Sequence, residues 1–82
     1  MERQGKITQA ITVLERVIIV KPDYAKAYNQ LGIAYEIMKN PNKSIKYYLI
    51  AQKLYSKIKD KESVEIINRR LKELYKAVGT SS

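Results

Sequence analysis

Tyr28-x-x-Leu31-Gly32-x-x-Tyr35, followed by Ser44-x-x-x-Tyr48, is the stretch on which the reading of this chain turns. At 3.6 residues per turn the first four residues fall on one side of a helix, and Ser44 begins the packing face of a return helix. Gly32 is the informative residue. A glycine inside a helix costs about 1 kcal/mol relative to alanine, so one that is kept marks a close approach by a neighbouring helix. The spacing predicts a helical hairpin with its tightest crossing at Gly32. The plainer reading of the same residues is an ordinary hairpin with an incidental glycine.

Half of the pattern recurs upstream at a fixed offset. Gly5, Ile7, Ala10, Ile11, Leu14, Val17 and Pro22 stand 34 residues before Lys39, Pro41, Ser44, Ile45, Tyr48, Ala51 and Ser56. Small residues meet small and large apolar residues meet large apolar at most of these pairs. With that period and the aromatic-x-x-Leu-Gly-x-x-Tyr core, the chain resembles the tetratricopeptide repeat family of helix-turn-helix units. Residues 25–58 match one whole unit and residues 1–22 the second half of a preceding one. Two positions depart from the family pattern: Ser44 replaces a small alanine, and Ser56 replaces the closing proline. The resemblance implies an all-α fold, a four-helix antiparallel fragment of a right-handed α-α superhelix. It makes residues 1–82 a single domain: half repeat 1–22, full repeat 25–58 and a capping helix over 60–78.

Composition fits such a domain. Of the 82 residues 45% are hydrophobic, as in a globular chain, and no apolar run reaches the roughly 18 residues of a membrane span. The nearest, Ile11 to Val20, is interrupted by Thr12, Glu15 and Arg16. No cysteine is present, which excludes a disulfide framework and thiolate chemistry. Met1 to Lys6 lacks the charged, apolar and cleavable succession of a signal peptide, so the expectation is an intracellular, cytoplasmic protein with no membrane association. The formal charge of +8 admits an electrostatic surface for nucleic acid, anionic lipid or an acidic peptide. Because lysines outnumber arginines, and arginine is the better fork for phosphate, a solvated lysine face is favoured over nucleic-acid binding.

Along the chain, Ile7 to Val20 is predicted helical, with Ile7, Ala10, Ile11, Leu14, Val17 and Ile18 at spacings of three and four. Val13, Ile19 and Val20 widen the stripe beyond what one neighbour covers. In the family register Met1 to Gln4 is the end of an absent first helix and Gly5 the turn glycine after it. Lys21-Pro22-Asp23 ends the helix, and Asp23 is expected to cap the next one, over Tyr24 to Met38. Its packing face is Ala27, Tyr28, Leu31, Ala34, Tyr35 and Met38. Asn40-Pro41 starts a third helix, reaching Ile58, with Ser44, Tyr48, Ala51, Tyr55 and Ile58 toward its partner. Lys43, Lys46, Lys53 and Lys57 share a separate strip. Asp60 caps a last helix over Lys61 to Ala77, carrying Val64, Ile67, Leu71, Leu74, Tyr75 and Val78. Its other face is polar through Glu62, Glu65, Arg69, Lys72, Glu73 and Lys76, as suits a terminal cap. Gly79 is expected to close it in a left-handed conformation, leaving Thr80 to Ser82 as a frayed tail.

Inventory argues against catalysis. There is no histidine or cysteine to act as base, nucleophile or soft metal ligand, and no glycine-rich phosphate loop. Glu62 and Glu65 lie one helical turn apart among lysines and read as solvated polar surface. The chain is therefore read as not an enzyme, with no catalytic, cofactor-binding or metal-ligating residue. Of seven tyrosines, Tyr28, Tyr35, Tyr48, Tyr55 and Tyr75 are assigned to packing faces, while Tyr24 and Tyr47 are candidates for exposed aromatics.

The resemblance implies a concave peptide groove lined by Lys26, Asn29, Gln30, Ile33 and Glu36, with Glu62, Glu65 and Arg69 contributed by the capping helix. The asparagine-and-lysine clamp of members that grip a C-terminal carboxylate needs several successive units and is not supported. A solvated helix face is the alternative for these positions. The resulting expectation is a non-catalytic protein-interaction module for a partner peptide or helix. Self-association as a homodimer is expected through Val13, Leu14, Val17 and Ile18. A structural scaffold and a basic nucleic-acid-binding domain are the competing classes.

Overall fold

The computed structural model describes the backbone of residues 2–81 and the side chains of residues 5–79. Four helices follow in order: α1 Glu2–Val20, α2 Ala25–Ile37, α3 Pro41–Lys57 and α4 Lys61–Ser81. Each packs on its neighbour in sequence, and no strand occurs among the described residues. The fold is all-α and of the expected repeat type.

Two of the three turns are built alike. After α2, Lys39 takes φ 61° and after α3, Lys59 takes φ 60°, the left-handed conformation that glycine usually supplies at a helix end. Asn40 N–H then donates to Tyr35 O and Lys39 N–H to Glu36 O; Asp60 and Lys59 do the same to Tyr55 O and Ser56 O. The paired bonds are those of a Schellman ending. Asn40 and Asp60 then begin the following helices, as expected. Asn40 Oδ1 accepts from Lys43 N–H at 3.3 Å, and Asp60 accepts from both the backbone N–H and the hydroxyl of Ser63.

The first turn is different. Tyr24, not Asp23, occupies the cap position of α2, and no side chain caps it. The turn is held instead by Tyr28, whose hydroxyl donates to Pro22 O at 2.9 Å. Gly5 lies inside α1, not in a turn, and Gly79 lies inside α4 without a positive φ. With nothing within 4 Å of a Cβ at either position, no close approach demands glycine there, and helical hydrogen bonding carries through both. Thr80 and Ser81 continue α4; Met1 and Ser82 lie outside the described residues.

The centre of the fold is the contact between Gly32 and Tyr48. A Cβ built on Gly32 would sit 2.6 Å from Tyr48 Cδ1, so the close approach is that of an aromatic ring. Ser44, fully buried, donates its hydroxyl to Gly32 O at 2.7 Å. That bond satisfies a polar group that would otherwise cost about 1–3 kcal/mol to bury, and accounts for serine where the family has alanine. Tyr28, Tyr48, Ala51, Ile67, Leu71 and Leu74 form one core cluster across α2, α3 and α4. Ile11, Leu31 and Ala34 form a second between α1 and α2.

Three side chains depart from expectation. Tyr47 packs between Tyr35, stacked at 5.7 Å, and Tyr28 at 6.3 Å, because it points at α2 one position before Tyr48. Tyr75 is 51% exposed: α4 turns Ile67, Leu71 and Leu74 toward α3, and Tyr75 sits about 75° from the middle of that stripe. Ile58 follows the last residue of α3 and is exposed.

Candidate functional site

Two surfaces carry the interaction residues read from the sequence. The first is the outer side of α2. Lys26 and Gln30 are exposed there, while Asn29, Ile33 and Glu36 are half-buried. Ile33 rests on the core cluster around Tyr48. Asn29 Oδ1 is buried with no hydrogen-bond partner. Glu36 accepts from the Tyr48 hydroxyl at 2.8 Å and pairs with Arg70 at 3.5 Å. That network ties α2, α3 and α4 together, and Glu36 enters any groove already paired. Arg70 was missed by the sequence reading. The available signal was spacing, since Glu36 and Arg70 stand one 34-residue period apart. On α4, Glu62, Glu65 and Arg69 are all exposed, and Asn68 accepts from the Gln52 amide of α3.

The tyrosines around this network are held neutral. Burial raises the Tyr48 phenol well above its ordinary value near 10, and the accepting Glu36 carboxylate adds to the effect. Tyr35 and Tyr47 are raised by burial first and by the Glu15 carboxylate second. Tyr35 donates to Glu15 at 3.4 Å, pinning α1 to α2.

The second surface is α1, which presents two apolar stripes. Ile7, Ile11, Leu14 and Ile18 face α2 and pack on its cluster. Ala10, Val13, Val17 and Val20 lie about 100° away at 100° per residue. This stripe is open: Val13 is 60% exposed and Val20 78%, with Ala10 also exposed. Of the predicted self-association residues, the structure brings Val13 and Val17 together on the open stripe. Leu14 borders it, and Ile18 belongs to the core between α1 and α2. Ile19, although exposed, points away from the stripe. An open groove of about 530 Å³ runs beside it, lined by Val13, Arg16, Val17, Val20, Lys21 and Tyr24.

The 34-residue offset says what such a stripe does when covered. Ala10, Val13, Leu14, Val17 and Val20 correspond to Ser44, Tyr47, Tyr48, Ala51 and Leu54. On α3 those residues lie beneath α2, and Ser44, Tyr48 and Ala51 have no exposure at all. Lys43, Lys46, Lys53 and Lys57 form an exposed strip on α3, with Lys43 over the Tyr35 ring and Lys46 over Tyr47.

Comparison with protein-family models agrees with this internal duplication. A TPR repeat model matches residues 3–38, and a tetratricopeptide repeat model matches residues 25–58. The chain belongs to the tetratricopeptide repeat family. No curated protein and no solved structure gives a significant match. The two family matches overlap on α2, which packs on α1 behind it and α3 ahead of it. Tetratricopeptide repeats generally mediate protein–protein interaction. Within the described residues, no helix is long and apolar enough to cross a membrane.

Proposed function

We propose that this tetratricopeptide repeat chain is a non-catalytic protein-interaction module that uses two surfaces. The outer side of α2, with Lys26, Asn29, Gln30 and Ile33, receives a partner peptide. Asn29 is partly exposed beside the exposed Lys26 and Gln30, which supports that reading, since an asparagine side chain at such a surface can hydrogen-bond a peptide backbone. The open stripe of α1 joins two chains as a homodimer. The observation that carries self-association is the contrast between equivalent faces: sealed beneath α2 on α3, open on α1. An exposed apolar patch of this kind marks an interaction surface, and repeat arrays need about three units to bury a continuous core.

The test is sedimentation equilibrium of the whole chain from low to high micromolar concentration, beside Val13→Lys. Dimer is expected to grow with concentration in the unmodified chain. In the variant it is lost while helicity is kept, because Val13 is already largely exposed in the single chain. A well-folded monomer at high micromolar concentration refutes self-association.

A further inference from the structure

We infer that the outer face of α3 docks an acidic amphipathic helix of a partner protein. Carboxylates of that helix meet Lys43 and Lys46 at one end of the face and Lys53 and Lys57 at the other, with an apolar side chain between them. This surface is separate from the two proposed above and does not depend on them.

Charge is the first observation. α3 holds four lysines and no acidic residue. All four are exposed, fall within about 80° of one another at 100° per residue, and span a rise of about 21 Å. Lys43 and Lys46 stand three residues apart and Lys53 and Lys57 four, spacings at which like charges repel and destabilise a helix. α4 shows how a merely solvated surface is built. There Glu65 lies four residues from both Lys61 and Arg69, and Glu73 four from Arg69, so the signs alternate. Tertiary contacts do not neutralise α3 either. Among the described residues no carboxylate comes within ion-pairing distance of its lysines. Glu15 reaches the Lys43 end through Tyr35, whose ring lies under Lys43, and is taken up by the Tyr35 hydroxyl. Glu36 is taken up by Tyr48 and Arg70.

The middle of the row is the second observation. Between Lys46 and Lys53 the strip turns apolar: Ile50 lies within it, and Leu49, 41% exposed, lies beside it. With Gln52 and Lys53 they line an open hollow of about 290 Å³. The complement of this face is negative at both ends and apolar in the centre. A helix supplies that pattern, because its residues three and four apart share one side, and the paired charges set its register.

Other polyanions fit less of the face. Single-stranded nucleic acid gains affinity by stacking bases on aromatic rings, but Tyr35 and Tyr47 are stacked on each other at 5.7 Å and lie under Lys43 and Lys46. A helix lying on a bilayer holds on by a broad apolar face, whereas the outward row of α3 is lysine.

The experiment measures fluorescence anisotropy of a labelled synthetic helix whose glutamates repeat the spacing of the four lysines, with two leucines in the long gap. Lys46→Glu with Lys53→Glu should weaken it by about tenfold or more, since attraction becomes repulsion at both ends. Lys6→Glu with Lys72→Glu makes the same change of net charge at other exposed sites and should leave affinity within about twofold, the distant charges being screened. Circular dichroism checks that both variants keep their helicity. Serine in place of the peptide leucines should weaken binding about threefold or more, and Asn29→Ala, on the α2 side, should leave it unchanged. Equal losses in the two double variants overturn the inference, because net charge alone is then sensed. It is also overturned by indifference to the leucines, by tighter binding of a thymidine oligonucleotide or of phosphatidylserine vesicles than of the peptide, or by no binding of the peptide at high micromolar concentration.

Discussion

Replacing Gly32 with alanine tests the packing at the centre of this fold more severely than any larger substitution. In an ordinary helix the change is favourable by about 1 kcal/mol. Here the new methyl would stand 2.6, 2.7 and 2.9 Å from Cδ1, Cε1 and Cγ of Tyr48, where carbon atoms prefer about 3.5–4.0 Å. Relief needs a shift of roughly 1 Å in the ring. The ring is fully buried, its hydroxyl is bonded to Glu36, and Cγ is among the crowded atoms, so side-chain rotation alone cannot clear the methyl. α3 must move away, stretching the 2.7 Å bond from Ser44 to Gly32 O.

Overpacking of this kind costs about 1–3 kcal/mol. After the gain of about 1 kcal/mol in helix propensity, a net loss of up to about 2 kcal/mol is expected, or a fall in Tm of roughly 4–8 °C for each kcal/mol. Urea unfolding followed by far-UV circular dichroism, at one fixed protein concentration, measures it. Gly5→Ala is the internal control: that glycine is also helical, but nothing lies within 4 Å of its Cβ, so a gain of about 0.5–1 kcal/mol is expected. If Gly32→Ala matches or exceeds the parent while Gly5→Ala gains, the packing argument is wrong.

Two further predictions concern Tyr48 and Asn29. The folded-state Tyr48 phenol is raised above its unfolded value near 10 by burial and then by Glu36. Its contribution to stability is therefore complete below pH 10 and is lost as pH rises beyond that, because the unfolded chain releases the proton first. Tyr48→Phe should flatten the fall in urea stability between pH 9.5 and 11.5, values on the order of the phenol range; an unchanged slope refutes the assignment. Asn29→Ala should weaken a peptide bound along α2, read by calorimetry, with thermal stability unchanged or slightly raised because an unpaired buried acceptor is removed. A peptide whose affinity is indifferent to changes at Lys26, Asn29 and Ile33 binds elsewhere.

Much of this fold was written in local spacing. Apolar residues three and four apart fix which side of each helix is buried, and Asn40-Pro41 and Asp60 fix two helix starts. The interior Gly32 announced its own close contact. The 34-residue offset named the family, because a repeat is one local pattern used twice. Tertiary structure decided what local pattern leaves open. Tyr47 and Tyr75 each sit beside an apolar stripe, and only the position of the neighbouring helix made the first a filler between α2 and α3 and the second a surface residue. Gly5 and Gly79 look like helix endings in a sequence, but the hydrogen-bond ladder runs through both, while Lys39 and Lys59 took the left-handed positions where glycine was the natural guess. The open face of α1 is the same case at larger scale. Spacing marks Ala10, Val13, Val17 and Val20 as apolar, but burial depends on whether a second helix lies across them, and that is a property of the assembled neighbours rather than of the helix itself.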